Sequence, residues 1–373
     1  MENSREEVIK KAKILKALIE LNKVGKILDS FIPVFLDKTI KKSDGSYYLH
    51  GSYNLGSVKS GRMSSNNPNM QQIPSSGTVY AKPIKKCFKP PKGWLLVSAD
   101  FNALEARINA LLTKDPMKLQ VYTEGFDSHS FNTYVYWKDK FPHIDSTKSD
   151  QINSIANTNK SDRQKSKAVT FALQFFGTYK TLVNNSGFSE EEAKTICKNY
   201  EDIYKASITW VNQELSKASK NGYVTGAFGL KLRTPIMKQV LWGSKKVPYE
   251  AQAESRTAGN MLSGQSFGLL NNRSQNEFLT RVTNSKFALD IKPVAAVHDS
   301  VYFLIKKDYN VLHWVNDNLI ECMEWQDDPA IYHDKVKLGA QLVVHYPTWA
   351  EEITIPNKID LLSLINLVKE IFE

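Results

Sequence analysis

Residues 296–305, AVHDSVYFLI, set two runs of β-branched and aromatic residues on either side of a polar triplet, His298-Asp299-Ser300. Few chain geometries accept that pattern. Runs of Val, Ile and aromatics favour extended strands, and so short a polar break returns the chain as a tight hairpin. The hairpin must be buried in a sheet, which leaves its tip at the sheet's rim. A carboxylate there can close the turn through a local backbone hydrogen bond. With a second acid beside it, it can instead hold a metal.

The stretch LLVSADFNALEAR, residues 95–107, offers that second acid. An apolar strand from Trp94 to Ala99 delivers Asp100 to a strand end, and a helical pattern from about Leu104 to Leu112 carries Glu105 and Arg107 in its first turns. Acids on adjacent strands can bridge cations about 3.5–4 Å apart. The plainer reading is that Asp100 caps the following helix. A third stretch, RQKSKAVTFALQF at 163–175, repeats Arg163, Lys167, Phe171 and Phe175 at every fourth position. On a helix this drifts by about 40° per step and leaves the four on one face. Two cations and then two aromatics can grip a triphosphate at one end and stack a base at the other. An amphipathic helix with buried aromatics and solvated cations has the same spacing.

At 373 residues the chain has room for about two domains. No apolar run approaches the roughly 20 residues that span a bilayer, and the first residues, MENSREEVIKKAK, are charged where a signal peptide is apolar. A cytoplasmic protein with no membrane partner is expected. Cys87, Cys197 and Cys322 lie far apart and form no disulfide or zinc pattern. The net charge of +10, with lysines grouped as at Lys82, Lys85 and Lys86, suits a polyanion such as nucleic acid, or a solvated basic face.

Along the chain, residues 5–37 read as one or two helices and 43–78 as an irregular Ser/Gly/Asn/Pro-rich segment. Residues 160–222 read as mostly helical, with Ser189 to Glu192 as a capping signal. A hairpin is expected over 222–233, one long helix over 249–272, a helix from Tyr309 to Met323 and a last strand from Val336 to Val344. No internal repeat is present. The expected class is α+β, a core of mixed strands and helices bearing a long helical insertion.

With the three motifs in order, the chain resembles family A DNA polymerases, the family of bacterial DNA polymerase I and several phage replicases. Asp100 to Arg107 resembles that family's motif A, Arg163 to Phe175 its motif B, and Val297 to Ser300 its motif C. SGRMSSNNPNMQQIP at 60–74, Asp127-Ser128-His129, GYVTGAFGLKLRTP at 222–235 and Arg256 to Asn260 are similar to further family segments. The likeness runs from about residue 18 to 350. Four departures stand out: Ser300 replaces the usual motif C glutamate, and Thr170-Phe171-Ala172 the usual Asn-Phe-Gly. Phe175 replaces a common tyrosine, and Gly264-Gln265 stands where Gln-Gly is usual. Loss of the motif C glutamate implies altered metal affinity rather than inactivity.

The resemblance implies a polymerase palm bearing a helical fingers subdomain, with the thumb largely absent. It assigns 1–50 to residual thumb helices and a connection, 51–125 and 246–373 to the two parts of the palm, and 126–245 to the mainly helical fingers with a return hairpin. It implies DNA synthesis, in phage replication, from dNTPs on primer-template DNA. Asp100, Asp299 and the Phe101 carbonyl are expected to hold two Mg²⁺ ions, with Mn²⁺ able to substitute. Arg163, Lys167 and His129 would hold the triphosphate, and Lys167 would also protonate the leaving group. Phe171 would stack on the incoming nucleotide, Phe175 would sit beside the templating position, and Glu105 would exclude a ribose 2′-hydroxyl. Arg62, Gln71, Gln72, Arg256 and His298 would touch the primer-template. A separate polypeptide would supply a thumb, a 3′–5′ exonuclease, or both. The rival readings are a non-catalytic polymerase-fold subunit of a replisome and a single-subunit RNA polymerase, the latter disfavoured by Glu105.

Overall fold

The computed structural model describes residues 2–74, 79–244 and 247–373. Its centre is a five-stranded antiparallel sheet in the order Ile353–Ile355, Ala340–His345, Trp94–Phe101, Ser300–Lys306, Ile291–Val297. The Trp94–Phe101 strand lies in the middle, and both its faces are covered. Leu95, Val97, Ala99 and Phe101 pack with Val301, Phe303, Ile305, Leu342 and Val344 under the helices Leu269–Thr283, Tyr309–Met323 and Leu361–Phe372. On the other face Leu96 meets Phe31, Met70, Ile73, Ile84 and Trp349. Because successive side chains alternate faces, Asp100 falls on the Leu96 side, at the strand's far end.

A second core is entirely helical. Val121, Phe131, Ile152, Ile155, Val169, Leu182, Ile196, Tyr200 and Tyr204 close it, drawn from the helices between Pro116 and Ile203. Ser189 caps the Glu190–Ile203 helix by accepting from the Glu192 backbone N–H, as its sequence signal requires. A smaller cluster of Val211, Leu215, Val224, Met237, Ala258 and Met261 joins this subdomain to the Tyr249–Leu262 helix. Phe176 is the bridging wedge. It sits just past the Lys160–Gln174 helix in the left-handed region, φ +65°, where glycine is usual, while the Gly177 N–H closes the helix end on the Ala172 carbonyl. Its ring fills a notch at Gly259, where a Cβ would fall 2.1 Å from Phe176 Cε2.

Three expectations need correction. The single helix over 249–272 is two, Tyr249–Leu262 and Leu269–Thr283, joined by a 3₁₀ turn at Gln265–Gly268. The break is Gly264, φ +122°, where a Cβ would lie 3.2 Å from the Glu105 carbonyl oxygen, so close backbone approach and not periodicity decides the site. The last long strand is Ala340–His345 and not Val336–Val344. Upstream of it the buried Gln326 side chain donates to the Val336 carbonyl and accepts from the Leu338 N–H, taking the bonds a neighbouring strand would have made. The Ile353–Ile355 strand and the Leu361–Phe372 helix were not foreseen. Two small pairings involve the irregular segment, Tyr47–Leu49 with Thr39–Lys41 just before it and Ser52–Asn54 with Ser64–Asn66 within it.

Candidate active site

The hairpin turns at His298-Asp299, between Val297 and Ser300, which pair with each other. His298 takes a left-handed conformation, φ +54°, and its carbonyl accepts a hydrogen bond from Asn271 Nδ2 at 3.2 Å, which ties the turn to the Leu269–Thr283 helix. His298 itself is exposed. In the neighbouring pair of strands Asp100 stands opposite Ser300, so Asp100 and Asp299 come together at one end of the sheet. The side chain of Asp100 is open on one side, yet the protein around its carboxyl raises its pKa above the ordinary aspartate value. The Ser300 hydroxyl opposes the rise by hydrogen bonding to it, and the charge of Asp299 adds to the rise.

Past Phe101 the chain turns through Ala103, φ 53°, directly into the Leu104–Thr113 helix, which sets Glu105 in its first turn. Arg62, from the irregular segment, reaches this cluster. Its Nη2 lies 2.8 Å from Glu105 Oε1 and 3.0 Å from Asp299 Oδ1. Gln71 approaches the hairpin, its Nε2 donating to the Ala296 carbonyl at 3.4 Å, while Gln72 is exposed. Arg256 lies over the ring of Tyr249 on its own helix and makes no ion pair with these acids.

The Lys160–Gln174 helix carries the second group. Arg163 holds Asp127 with two parallel bonds, Nε to Oδ2 and Nη2 to Oδ1, both 2.8 Å. Asp127 also caps the Ser128–Tyr136 helix through the Ser130 N–H. Burial disfavours its charge, but the bonds from Arg163 and Ser130 outweigh that and hold its carboxyl well below the usual range. His129, one turn into that cap, has its pKa lowered by burial, with Asp127 raising it and Arg163 and Lys167 lowering it further. Its ring lies 6.3 Å from that of Phe171, which in turn stacks on Phe175 at 6.3 Å with 19° between the planes. Lys167 is exposed beside them. A cavity of about 50 Å³ opens between His129, Phe171, Thr170 and Tyr204. Behind the helix, one of about 530 Å³ is bordered by Gln174, Phe176, Tyr200 and Lys118, whose ammonium burial pulls down to about 8.

A sequence profile of DNA polymerase family A matches residues 2–351. The chain belongs to that family. It is 24% identical over 301 residues to a thermostable DNA polymerase I of Thermus filiformis, covering 79% of this chain and 32% of that protein. It is 26% identical over 246 residues to a DNA polymerase of Mycobacterium phage D29, covering 66% of this chain and 36% of that one. The chain thus spans about a third of the length of these curated relatives. Among solved structures the polymerase domain of Pol1 from M. smegmatis, in complex with DNA primer-template and dNTP, shares the fold. The TM-score is 0.72 at 21% identity, over 88% of this chain and 52% of that one.

For a family A chain the acids at the sheet end are few. Among the described residues no group of three His, Cys, Asp or Glu side chains is placed to hold a metal. Asp100 and Asp299, with the Phe101 carbonyl beside them, are hard oxygen donors, and Mg²⁺ is commonly held by one or two carboxylates while keeping waters and substrate phosphates. Burial and the nearby Asp299 charge both disfavour an ionised Asp100, and a cation beside it would offset both, so the residues present fit such an ion. Two features were missed from the sequence. The Asp127–Arg163 fork was invisible because an Asp before a helix reads only as a cap, and the reach of Arg62 spans 237 residues. Asp127→Asn should therefore cost about 1.5–3 kcal/mol of stability at pH 7, the range for hydrogen bonds to charged groups. Since the folded pKa is depressed, that contribution is complete above the unfolded value of about 4 and lost as pH falls through the folded value. The gap between the urea unfolding midpoints of the two proteins should hold from pH 7 down to about pH 4 and narrow progressively below it; a gap at pH 3 no smaller than at pH 7 would contradict the assignment.

Proposed function

We propose that this chain is a template-directed DNA polymerase that adds deoxynucleotides to a primer 3′-hydroxyl. The observation that carries the reading is the meeting of Asp100 and Asp299 at one sheet end, in a chain whose Lys160–Gln174 helix presents Arg163, Lys167, Phe171 and Phe175. The acids with the Phe101 carbonyl would hold two Mg²⁺ ions, or Mn²⁺, and these, when bound, would supply Lewis-acid activation of the hydroxyl and charge neutralisation on the phosphates. The chain's own residues do the rest. Arg163, Lys167 and His129 bind the triphosphate, Arg163 being braced by Asp127, and Lys167 gives a proton to the leaving pyrophosphate. Phe171 stacks on the base and sugar, and Phe175 flanks the templating position. Glu105 excludes a 2′-hydroxyl. Arg62, Gln71, Gln72, Arg256 and His298 contact the primer-template, where minor-groove acceptors shared by all base pairs allow reading without sequence preference.

On this reading residues 51–125 and 246–373 form the palm and 126–245 the fingers, acting in replication of phage DNA in the host cytoplasm. No helix of the described residues is long and apolar enough to cross a membrane. Residues 1–50 are residual thumb helices and a connection, and the Glu2–Lys26 helix leaves Val8, Leu15, Leu18, Leu21 and other apolar side chains exposed. That face supports a further polypeptide, bringing a thumb or a 3′–5′ exonuclease. A non-catalytic polymerase-fold subunit is the second reading, and the intact acid pair speaks against it.

Primer extension with Mg²⁺ and each class of nucleoside triphosphate tests the proposal: deoxynucleotides should be incorporated, and no extension by the native chain would overturn it. Asp100→Ala and Asp299→Ala should each abolish extension while primer-template affinity, read by fluorescence anisotropy, stays within a few-fold. Glu105→Ala should admit ribonucleotides; an unchanged ribo/deoxy ratio places the gate elsewhere. With a DNA trap present, the chain should add only a few nucleotides per encounter and lose activity steeply with salt. Long products under those conditions would remove the need for a further polypeptide.

A further inference from the structure

Asp299, one of the two acids at the sheet end, already has a cation on it. A single nitrogen of Arg62, Nη2, bridges Asp299 and Glu105, which come from the hairpin turn and from the first turn of a helix. The three side chains are only 18–27% exposed, so the pairing is drier than a surface ion pair. Space for it is built in. Gly268 lies against the arginine stem, and a Cβ there would fall 2.6 Å from Arg62 Nε and 2.9 Å from its Cγ.

The bonding is incomplete, however. Arg62 Nε is buried and has no hydrogen-bond partner. Arg163 shows the contrast, its Nε and Nη2 both saturated by one carboxylate in the fork geometry that guanidinium favours. That arrangement satisfies two donors of a guanidinium at a single acid. Arg62 instead spends one nitrogen on two acids and leaves another donor buried and unsatisfied, which is unfavourable. Its pose is therefore one that a ligand with acceptors can displace.

We propose that Arg62 couples nucleic-acid binding to metal binding, a step that rests on the polymerase reading above. Without a duplex its guanidinium neutralises Asp299 and competes with a divalent cation for that carboxylate. When the acceptors of a primer-template draw Arg62 away, Asp299 is released and the cation can bind beside Asp100. The primer terminus thereby assembles the site that acts on it, and the free protein holds metal weakly. By linkage the effect is reciprocal, so a metal bound at the acids weakens their hold on Arg62 and strengthens the duplex complex.

The test is direct Mn²⁺ binding to the full chain, followed by the electron paramagnetic resonance of free Mn²⁺, with no nucleotide and no turnover. Arg62→Ala and Arg62→Gln, the second keeping the side chain's bulk, should each bind Mn²⁺ about tenfold more tightly than the native protein, because a competing state lowers apparent affinity by the fraction it occupies. Asp299→Asn should abolish that gain. Adding a primer-template with a 3′-deoxy terminus should tighten Mn²⁺ binding to the native chain and change it little in either Arg62 variant. Equal affinity in native and variant proteins, or equal tightening by the duplex in all three, overturns the coupling. If instead the chain extends no primer while Arg62→Gln still binds Mn²⁺ more tightly, the polymerase reading has failed and the competition at Asp299 has not.

Discussion

The register between the Trp94–Phe101 strand and the hairpin is the constraint on which the site depends. Asp100 stands opposite Ser300, one residue from Asp299, only because Val97 pairs with Phe303 and Ala99 with Val301. Both faces of the central strand are buried, so a slip of one residue would turn Asp100 into the aliphatic core and bring Phe101 to the rim. The sheet thus forces two like charges together and does not relax to separate them. Burial of its carboxyl is the main reason the Asp100 pKa is raised, and the charge of Asp299 adds to it. Such a pair needs a counter-charge from somewhere, and in this structure Arg62 provides it at Asp299.

A second constraint fixes where the cationic helix stands relative to those acids. The helical core that holds the Lys160–Gln174 helix and the sheet core that holds Asp100 are separate clusters. Between them the Phe176 ring seats in the Gly259 notch, at the end of the helix that bears Phe171 and Phe175. A left-handed phenylalanine costs of order 1 kcal/mol or more, and here the ring's burial against the third cluster offsets it. At the other end of the helix the Asp127 fork sets Arg163. The two attachments hold Arg163, Phe171 and Phe175 on one element fixed at both ends.

How much of this was legible follows from the range of each interaction. The hairpin at 298–300, the strand into Asp100, the Tyr309–Met323 helix and the cap at Ser189 rest on local chemistry, and their patterns were readable along the chain. The kink at Gly264 was not, because it answers to a backbone oxygen on another helix. The strand expected from Val336 failed for a similar reason, since Gln326 rather than a neighbouring strand satisfies that backbone. At the site, the residues themselves stood out by motif, whereas their partnerships did not. Nothing in SGRMSS says that its arginine crosses to a hairpin 237 residues away.

That last partnership alters how the molecule's charge should be read. A chain of net charge +10 attracts polyanions over its whole surface, with no preference for one approach. The acids at the sheet end oppose that field at one place, and left bare they would repel a polyanion brought to them. Arg62 offsets part of that negative charge while it stays in place, so an approaching phosphate backbone meets less repulsion there. The same guanidinium has an unused donor, Nε, and a partly exposed head, the features that let acceptors on a duplex compete for it. One side chain can then carry the acids' charge balance before a duplex arrives and give it up to a metal afterwards, with no rearrangement of the sheet that holds them.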